Sequence, residues 1–118
     1  MEYKLRDWIP LDKLDWGNLS ENPNAIKLLE QNKDKINWTQ LALNPNAIHL
    51  IEAYINEVGI DNIDKGFWYR LSENPNAIHI LEKYPSKIVW GRLSKNPNAI
   101  SMLKDNINNI FWNQLDRK

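Results

Sequence analysis

Apolar residues return along this chain in short bursts that keep time with one another. Ala25, Ile26, Leu28 and Leu29 fall at i, i+1, i+3 and i+4, which places them on one side of a helix of about two to three turns. The string Asn-Pro-Asn-Ala-Ile that opens this burst begins at Asn22 and again at Asn44, Asn74 and Asn96. Successive starts are separated by 22, 30 and 22, and self-similarity at such a period marks a repeat architecture. A second marker keeps the same register. The steps between Trp16, Trp38, Trp68, Trp90 and Trp112 are 22, 30, 22 and 22, so both markers locate one eight-residue insertion in the second unit. Leucine follows each of these tryptophans by three positions (Leu19, Leu41, Leu71, Leu93, Leu115), and lysine precedes four of them by three (Lys13, Lys35, Lys65, Lys87).

Each Asn-Pro-Asn-Ala-Ile string reads as a helix start. Asn22, Asn44, Asn74 and Asn96 are expected to cap free amides, with proline at the first helical position, where its missing N–H costs nothing. After a short connection, Asn37 can cap a second, shorter helix, α or 3₁₀, that carries Trp38 and Leu41 on one face. Trp16, Trp38, Trp68, Trp90 and Trp112 are expected to be buried and to form a continuous apolar seam. Trp8 stands outside the beat and is assigned to an N-terminal cap. In the second unit Ile51, Tyr54, Ile55 and Val58 continue the i, i+3, i+4, i+7 pattern, so one extended helix is expected there, ended by Gly59.

The expected fold is all-α: a short helical-repeat solenoid of about four helix-turn-helix units in one domain. Residues 1–21 form an N-terminal cap and half-repeat, 22–43 the first repeat, 44–73 the second with its insertion, 74–95 the third, and 96–118 the fourth. Asp116-Arg117-Lys118 reads as a polar C-terminal cap.

The signature Trp-x-x-Leu-Ser-x-Asn-Pro-Asn-Ala-Ile-x-Leu-Leu-Glu, here Trp16 to Glu30, resembles the tandem repeats of uncharacterised proteins encoded by large DNA viruses. The stretch Asp7-Trp8-Ile9-Pro10-Leu11-Asp12-Lys13-Leu14-Asp15-Trp16 resembles the lead-in of the same proteins. That resemblance implies a fold unit and a viral origin, and it implies no activity. More distantly, the Leu-Ser-x-Asn-Pro linkage is similar to leucine-rich variant repeats, which alternate α and 3₁₀ helices.

Composition narrows the function. At 118 residues the chain fits one domain, and fifteen Lys and Arg balance fifteen Asp and Glu, so no global field draws it to nucleic acid or an anionic membrane. There is no cysteine, which excludes disulfides and thiolate zinc sites and suits a reducing compartment. With no secretory-type N-terminus and no apolar run long enough to span a bilayer, a soluble, cytoplasmic protein is expected, in the host cytoplasm or the virion for one of viral origin.

No phosphate-cradling loop, nucleophile motif or zinc spacing is present. His49 and His79 share one repeat position with Lys27 and Ser101 and read as solvent-facing side chains rather than metal ligands. Glu30, Glu52 and Glu82 recur at one position and become Lys104 in the last unit, a solvated row rather than a catalytic carboxylate pair. Asn24, Asn46, Asn76 and Asn98, placed in the first helical turn, are expected to bond the neighbouring repeat's loop. The protein is therefore read as non-enzymatic, without cofactor or metal.

What varies between units lies just after each tryptophan: Gly17-Asn18, Thr39-Gln40, Tyr69-Arg70, Gly91-Arg92 and Asn113-Gln114. Tyr69, Arg70 and Arg92, with Tyr54 on the insertion, are of the types enriched at interface centres and form the candidate contact set for a protein partner. Self-association into a homo-oligomer is the alternative. Nucleic-acid binding through the Lys13, Lys35, Lys65 and Lys87 row ranks last, because acids are interspersed with it.

Helices of six to nine residues are marginal alone in water, below the roughly 12–15 residues that isolated helices need. A synthetic peptide of residues 22–43 is expected to show a coil spectrum by far-ultraviolet circular dichroism under conditions where the whole chain is strongly helical.

Overall fold

The structure is a computed structural model, and it describes residues 13–105. All regular structure among the described residues is helical. Four helices carry the tryptophan register: α1 (Trp16–Glu21), α3 (Trp38–Leu41), α5 (Lys65–Leu71) and α7 (Trp90–Leu93). Four follow the Asn-Pro-Asn-Ala strings: α2 (Ile26–Gln31), α4 (Ile48–Val58), α6 (Ile78–Lys83) and α8 (Ile100–Asp105). Single 3₁₀ turns at Lys33–Lys35, Ile60–Asn62 and Pro85–Lys87 link α2, α4 and α6 to the next tryptophan helix. The 3₁₀ geometry thus lies in the connections, while the tryptophan segments are α-helical. Helix α1 packs on α3, and α3 on α5.

The Asn-Pro-Asn-Ala strings do not start helices as their residue types imply. Each is a β-turn, closed by the alanine N–H donating to the first asparagine's carbonyl at 3.1–3.2 Å (Ala25 to Asn22, Ala47 to Asn44, Ala77 to Asn74, Ala99 to Asn96), with proline at the second turn position, where its fixed φ is favoured. Helices α2, α4 and α6 begin three residues later than expected, with Ala25, Ala47 and Ala77 as N-caps that make no side-chain bond. Asn22, Asn44, Asn74 and Asn96 are therefore not N-caps. Their Oδ1 atoms accept the N–H of the second asparagine, at 2.8 Å for Asn24 and 3.0 Å for Asn46, Asn76 and Asn98, an Asx turn inside the β-turn.

The reason is tertiary. Asn44, Asn74 and Asn96 are buried, at 0%, 0% and 2% exposure, and, counting each unit from its tryptophan, both hydrogens of each Nδ2 go to carbonyls of the unit before. Asn44 donates to Ser20 O and Asn22 O, both at 2.9 Å. Asn74 donates to Ala42 O at 2.8 Å and Asn44 O at 3.1 Å. Asn96 donates to Ser72 O at 3.0 Å and Asn74 O at 2.8 Å. The same residues' N–H groups donate to the carbonyls of Leu41, Leu71 and Leu93 at 2.8–2.9 Å, ending the tryptophan helices. Every polar group of these asparagines is satisfied, which is what makes burying them tolerable. A parallel, exposed row is made by the second asparagines: Asn46 Nδ2 donates to Pro23 O, Asn76 to Pro45 O and Asn98 to Pro75 O, at 3.0, 2.7 and 2.6 Å. This is the loop-to-loop bonding the sequence implies, made from the turn rather than from a helix.

Around this frame the core is mostly aliphatic, with Phe67 and Trp68 as its buried aromatics. The alanines of the turns (Ala25, Ala47, Ala77, Ala99), the residue four positions on (Leu29, Ile51, Leu81, Leu103) and the leucines after the tryptophans (Leu41, Leu71, Leu93) are buried. Small alanines where the turns approach and larger side chains one helical turn later give an interdigitated filling.

The tryptophans do not form the buried seam expected of them. Trp68 is buried at 3% exposure, whereas Trp16, Trp38 and Trp90 are half-buried at the edge of the core; Trp112 lies outside the described residues. The Trp68 Nε1–H is enclosed without a hydrogen-bond acceptor. A buried indole N–H usually finds an acceptor, and an indole at the rim can turn its N–H to water.

The insertion changes the second unit in three linked ways. Helix α4 runs for 11 residues against six in α2 and α6, and it ends at Gly59, whose φ of 86° no other described residue shares in sign and which suits a residue without Cβ. Helix α5 then starts early, capped by Asp64, whose Oδ1 accepts the Phe67 N–H at 2.9 Å. In the other units that amide belongs to Asn37 and Val89, and it donates instead to the hydroxyls of Ser20 and Ser72 at 2.9 and 3.0 Å. The matching position in the inserted unit is Ala42. With Phe67 N–H already satisfied by Asp64, a hydroxyl there would have no such amide to receive.

The asparagine frame yields a graded prediction. Asn74→Ala takes from the Ala42 carbonyl the bond Asn74 donates, removes one of the two bonds the Asn44 carbonyl accepts and frees the Asn76 amide, and is expected to cost about 2–4 kcal/mol in urea denaturation. Asn74→Asp, nearly the same shape, sets a carboxylate against two carbonyl oxygens and is expected to cost more. A stability for Asn74→Asp equal to that of the parent chain would mean that shape, not the two donated bonds, sets the contribution.

Candidate functional site

The candidate contact residues separate into two groups. Tyr69 and Arg92 meet. Helix α5 presents Tyr69, the exposed residue after buried Trp68, and α7 presents Arg92 two residues after Trp90, so the spacing that builds the core sets these side chains side by side. The Arg92 guanidinium carbon lies 3.8 Å from the Tyr69 ring centroid, and its Nη1 donates to Glu73 Oε2 at 2.7 Å. An aromatic face and a carboxylate together fix one arginine. Tyr69 remains 40% exposed. Arg70 has no ion pair among the described residues: Glu73 stands five residues after Trp68, and Leu43 holds the corresponding place after Trp38.

Tyr54 belongs to an aromatic cluster instead. Its ring stacks on Trp38 with centroids 4.4 Å apart and planes 3° from parallel, and it leans on Phe67 at 5.4 Å. Phe67 meets Trp68 edge-on at 5.5 Å, and Trp68 meets Tyr84 at 6.0 Å. Tyr54 and Tyr84 each lie sixteen residues after the tryptophan they contact, a recurrence visible in the sequence that the tryptophan spacing overshadowed. Burial raises the pKa of Tyr54 above the ordinary 10.0, and the nearby Asp64 carboxylate adds to the rise.

Between Tyr54 and the turn at Lys33–Lys35 lies a groove of about 420 Å³. Leu50, Ala53 and Val58 of α4 form its apolar side, Trp38 and Tyr54 its aromatic one, and Lys33, Asp34 and Glu57 its charged rim.

The two histidines make contacts that reading one repeat at a time did not reveal. His49 Nε2 lies 2.6 Å from Glu30 Oε2, and His79 Nε2 lies 3.2 Å from Glu52 Oε2. The glutamate row and the histidine row are one row of pairs bridging consecutive units. The signal was the offset: from Glu30 to His49 it is 19, and from Glu52 to His79 it is 27, the first lengthened by the insertion. At the next step the partner of Glu82 would be Ser101, which carries no charge. Exposed pairs of this kind contribute little to stability. Among the described residues no group of three or more His, Asp or Glu is placed to hold a metal ion. Of the lysine row, Lys87 pairs with Asp61 at 3.2 Å. No helix among the described residues is long and apolar enough to cross a membrane.

Comparisons with protein-family models, curated proteins and solved structures return no match.

The raised pKa of Tyr54 predicts a specific alkaline sensitivity. The unfolded chain ionises Tyr54 near its ordinary value while the folded chain holds it neutral, so the stability it contributes is complete below pH 10 and is lost as pH rises through the raised folded value. Tyr54→Phe is expected to flatten the fall of the thermal midpoint above pH 10 while leaving the midpoint at neutral pH nearly unchanged. Identical alkaline profiles for the two chains would remove Tyr54 from the effect.

Proposed function

We propose that the chain is a non-enzymatic, protein-binding scaffold in which the repeated units stack as a short helical solenoid. The observation that carries this reading is a division of labour between residues. The asparagines and their carbonyl acceptors repeat with the same partners from unit to unit, while the positions just after the tryptophans change from Thr39-Gln40 to Tyr69-Arg70 to Gly91-Arg92. A frame that recurs beneath a surface that varies is how stacked repeats present binding faces. The dimensions of 54 × 32 × 18 Å accord with units added along one direction.

Within that surface Tyr69, Arg70 and Arg92 are the contact residues. Tyr69 is exposed, Arg70 has no ion-pair partner among the described residues, and Arg92 is held ready by Tyr69 and Glu73. Aromatic residues and arginines fixed before binding lose little conformational freedom on association.

A second reading, self-association, has one observation in its favour. Ile100 is 57% exposed, whereas Ile26, Ile48 and Ile78 at the same repeat position are packed against the core. An apolar residue left open in one unit of a stacked array would offer another copy a surface to cover.

Affinity capture with the tagged chain, beside a Tyr69→Ala/Arg70→Ala variant, separates these readings. Binding to a partner is expected for the parent chain and not for the variant, whose fold is verified by circular dichroism. Recovery of the chain alone, with a mass in analytical ultracentrifugation that rises with concentration and falls back for Ile100→Asp, favours self-association.

A further inference from the structure

The groove beside Tyr54 owes its form to the insertion. Helices α2 and α6 stop after six residues, and the α4 residues beyond that length include Tyr54, Glu57 and Val58, all of which line the groove. Its capacity of about 420 Å³ is within the range of roughly 300–1,000 Å³ typical of small-ligand pockets, ample for one long side chain.

We propose that this groove docks an arginine or lysine side chain of the protein partner, which deepens the protein-binding reading and rests on it. Leu50, Ala53 and Val58, with the Trp38 and Tyr54 rings, offer an apolar trough for a methylene stem, while Asp34 and Glu57 stand at the rim to meet a cationic head. Long basic side chains divide themselves in this way, stem against apolar surface and charge toward polar groups. Both carboxylates are exposed, and neither has an ion-pair partner among the described residues. Against them the rim sets one ammonium, Lys33, so it carries one net negative charge and disfavours an acidic segment.

The protein uses the same recognition chemistry on itself. Arg92 is held between the Tyr69 ring at 3.8 Å and the Glu73 carboxylate at 2.7 Å. In the groove the aromatic and acidic groups are again together, and the cation is the element a partner brings.

The test uses the full chain, labelled for NMR, and two blocked peptides, acetyl-Ala-Leu-Arg-Leu-Ala-amide and its citrulline counterpart, which keeps the shape and removes the charge. Saturable shifts of the Ala53 and Glu57 amides are expected with the arginine peptide. Affinity is expected to fall about tenfold or more with citrulline in place of arginine, and likewise in the Asp34→Asn/Glu57→Gln chain, since each change removes a charge-assisted contact. Glu82→Gln, which removes an exposed carboxylate elsewhere, is expected to leave binding unchanged. Both rim residues are exposed, so the double variant is expected to melt with the parent chain. Equal binding of the two peptides, binding that survives in the double variant, or no saturable shift overturns the proposal. A captured partner that still binds the double variant also overturns it while leaving the scaffold reading intact. Capture of the chain alone, with the arginine peptide still seated in the groove, overturns the scaffold reading and keeps the cation site.

Discussion

A primary amide buried where two units meet is the constraint on which the rest of the structure depends. Asn44, Asn74 and Asn96 each tie four segments together: the end of their own tryptophan helix, their own turn, and two carbonyls of the unit before. Such a residue cannot be placed approximately, because each missed bond strands a polar group away from water. The turn must close so that Oδ1 meets the second asparagine's amide, the following helix must wait until Ile48, Ile78 or Ile100, and the preceding helix must end where its carbonyl meets the asparagine N–H. Short helices that are marginal alone acquire defined ends in this way.

The same constraint separates what the sequence disclosed from what it did not. The repeat register was legible because it is a property of the whole chain, and the all-helical class, the tryptophan helices, the Asn37 cap and the lengthened helix ended by Gly59 all follow from spacing and residue type. The role of the first asparagines did not follow. Asn-Pro-Asn-Ala satisfies local rules for a helix start and for a β-turn equally well, and the choice is made by carbonyls of the preceding unit, which no local window contains. The tryptophans misled for a different reason. A large apolar residue at every unit is a natural core candidate, yet the indole N–H resists full enclosure, and the close approach of successive turns suits alanine and leucine better.

The candidate contact set shows the same division. Tyr69 and Arg92 were identifiable as variable and of interface type, and their contact follows from adjacent positions on neighbouring tryptophan helices. Residue type and the insertion point to Tyr54 in the sequence, whereas its place depends on the Trp38 ring opposite. The pairing of Glu30 with His49 and of Glu52 with His79 needed two repeat positions read together across a unit boundary. Ala42 is the simplest example of such coupling: one missing hydroxyl matches a helix start shifted by the insertion, with Asp64 taking over the amide.

Each asparagine that opens a turn is followed by proline, as Asn22-Pro23, Asn44-Pro45, Asn74-Pro75 and Asn96-Pro97. Asparagine side chains ordinarily age to aspartate when the next residue's backbone nitrogen, after losing its proton, attacks the side-chain carbonyl, closes a succinimide and expels ammonia. Proline nitrogen carries no hydrogen, so that ring cannot close. The residue that shapes the turn therefore also guards the amide beside it against slow conversion to a carboxylate, the one change that would set negative charge against the carbonyls it joins. Chemical durability is built into the same dipeptide as the geometry.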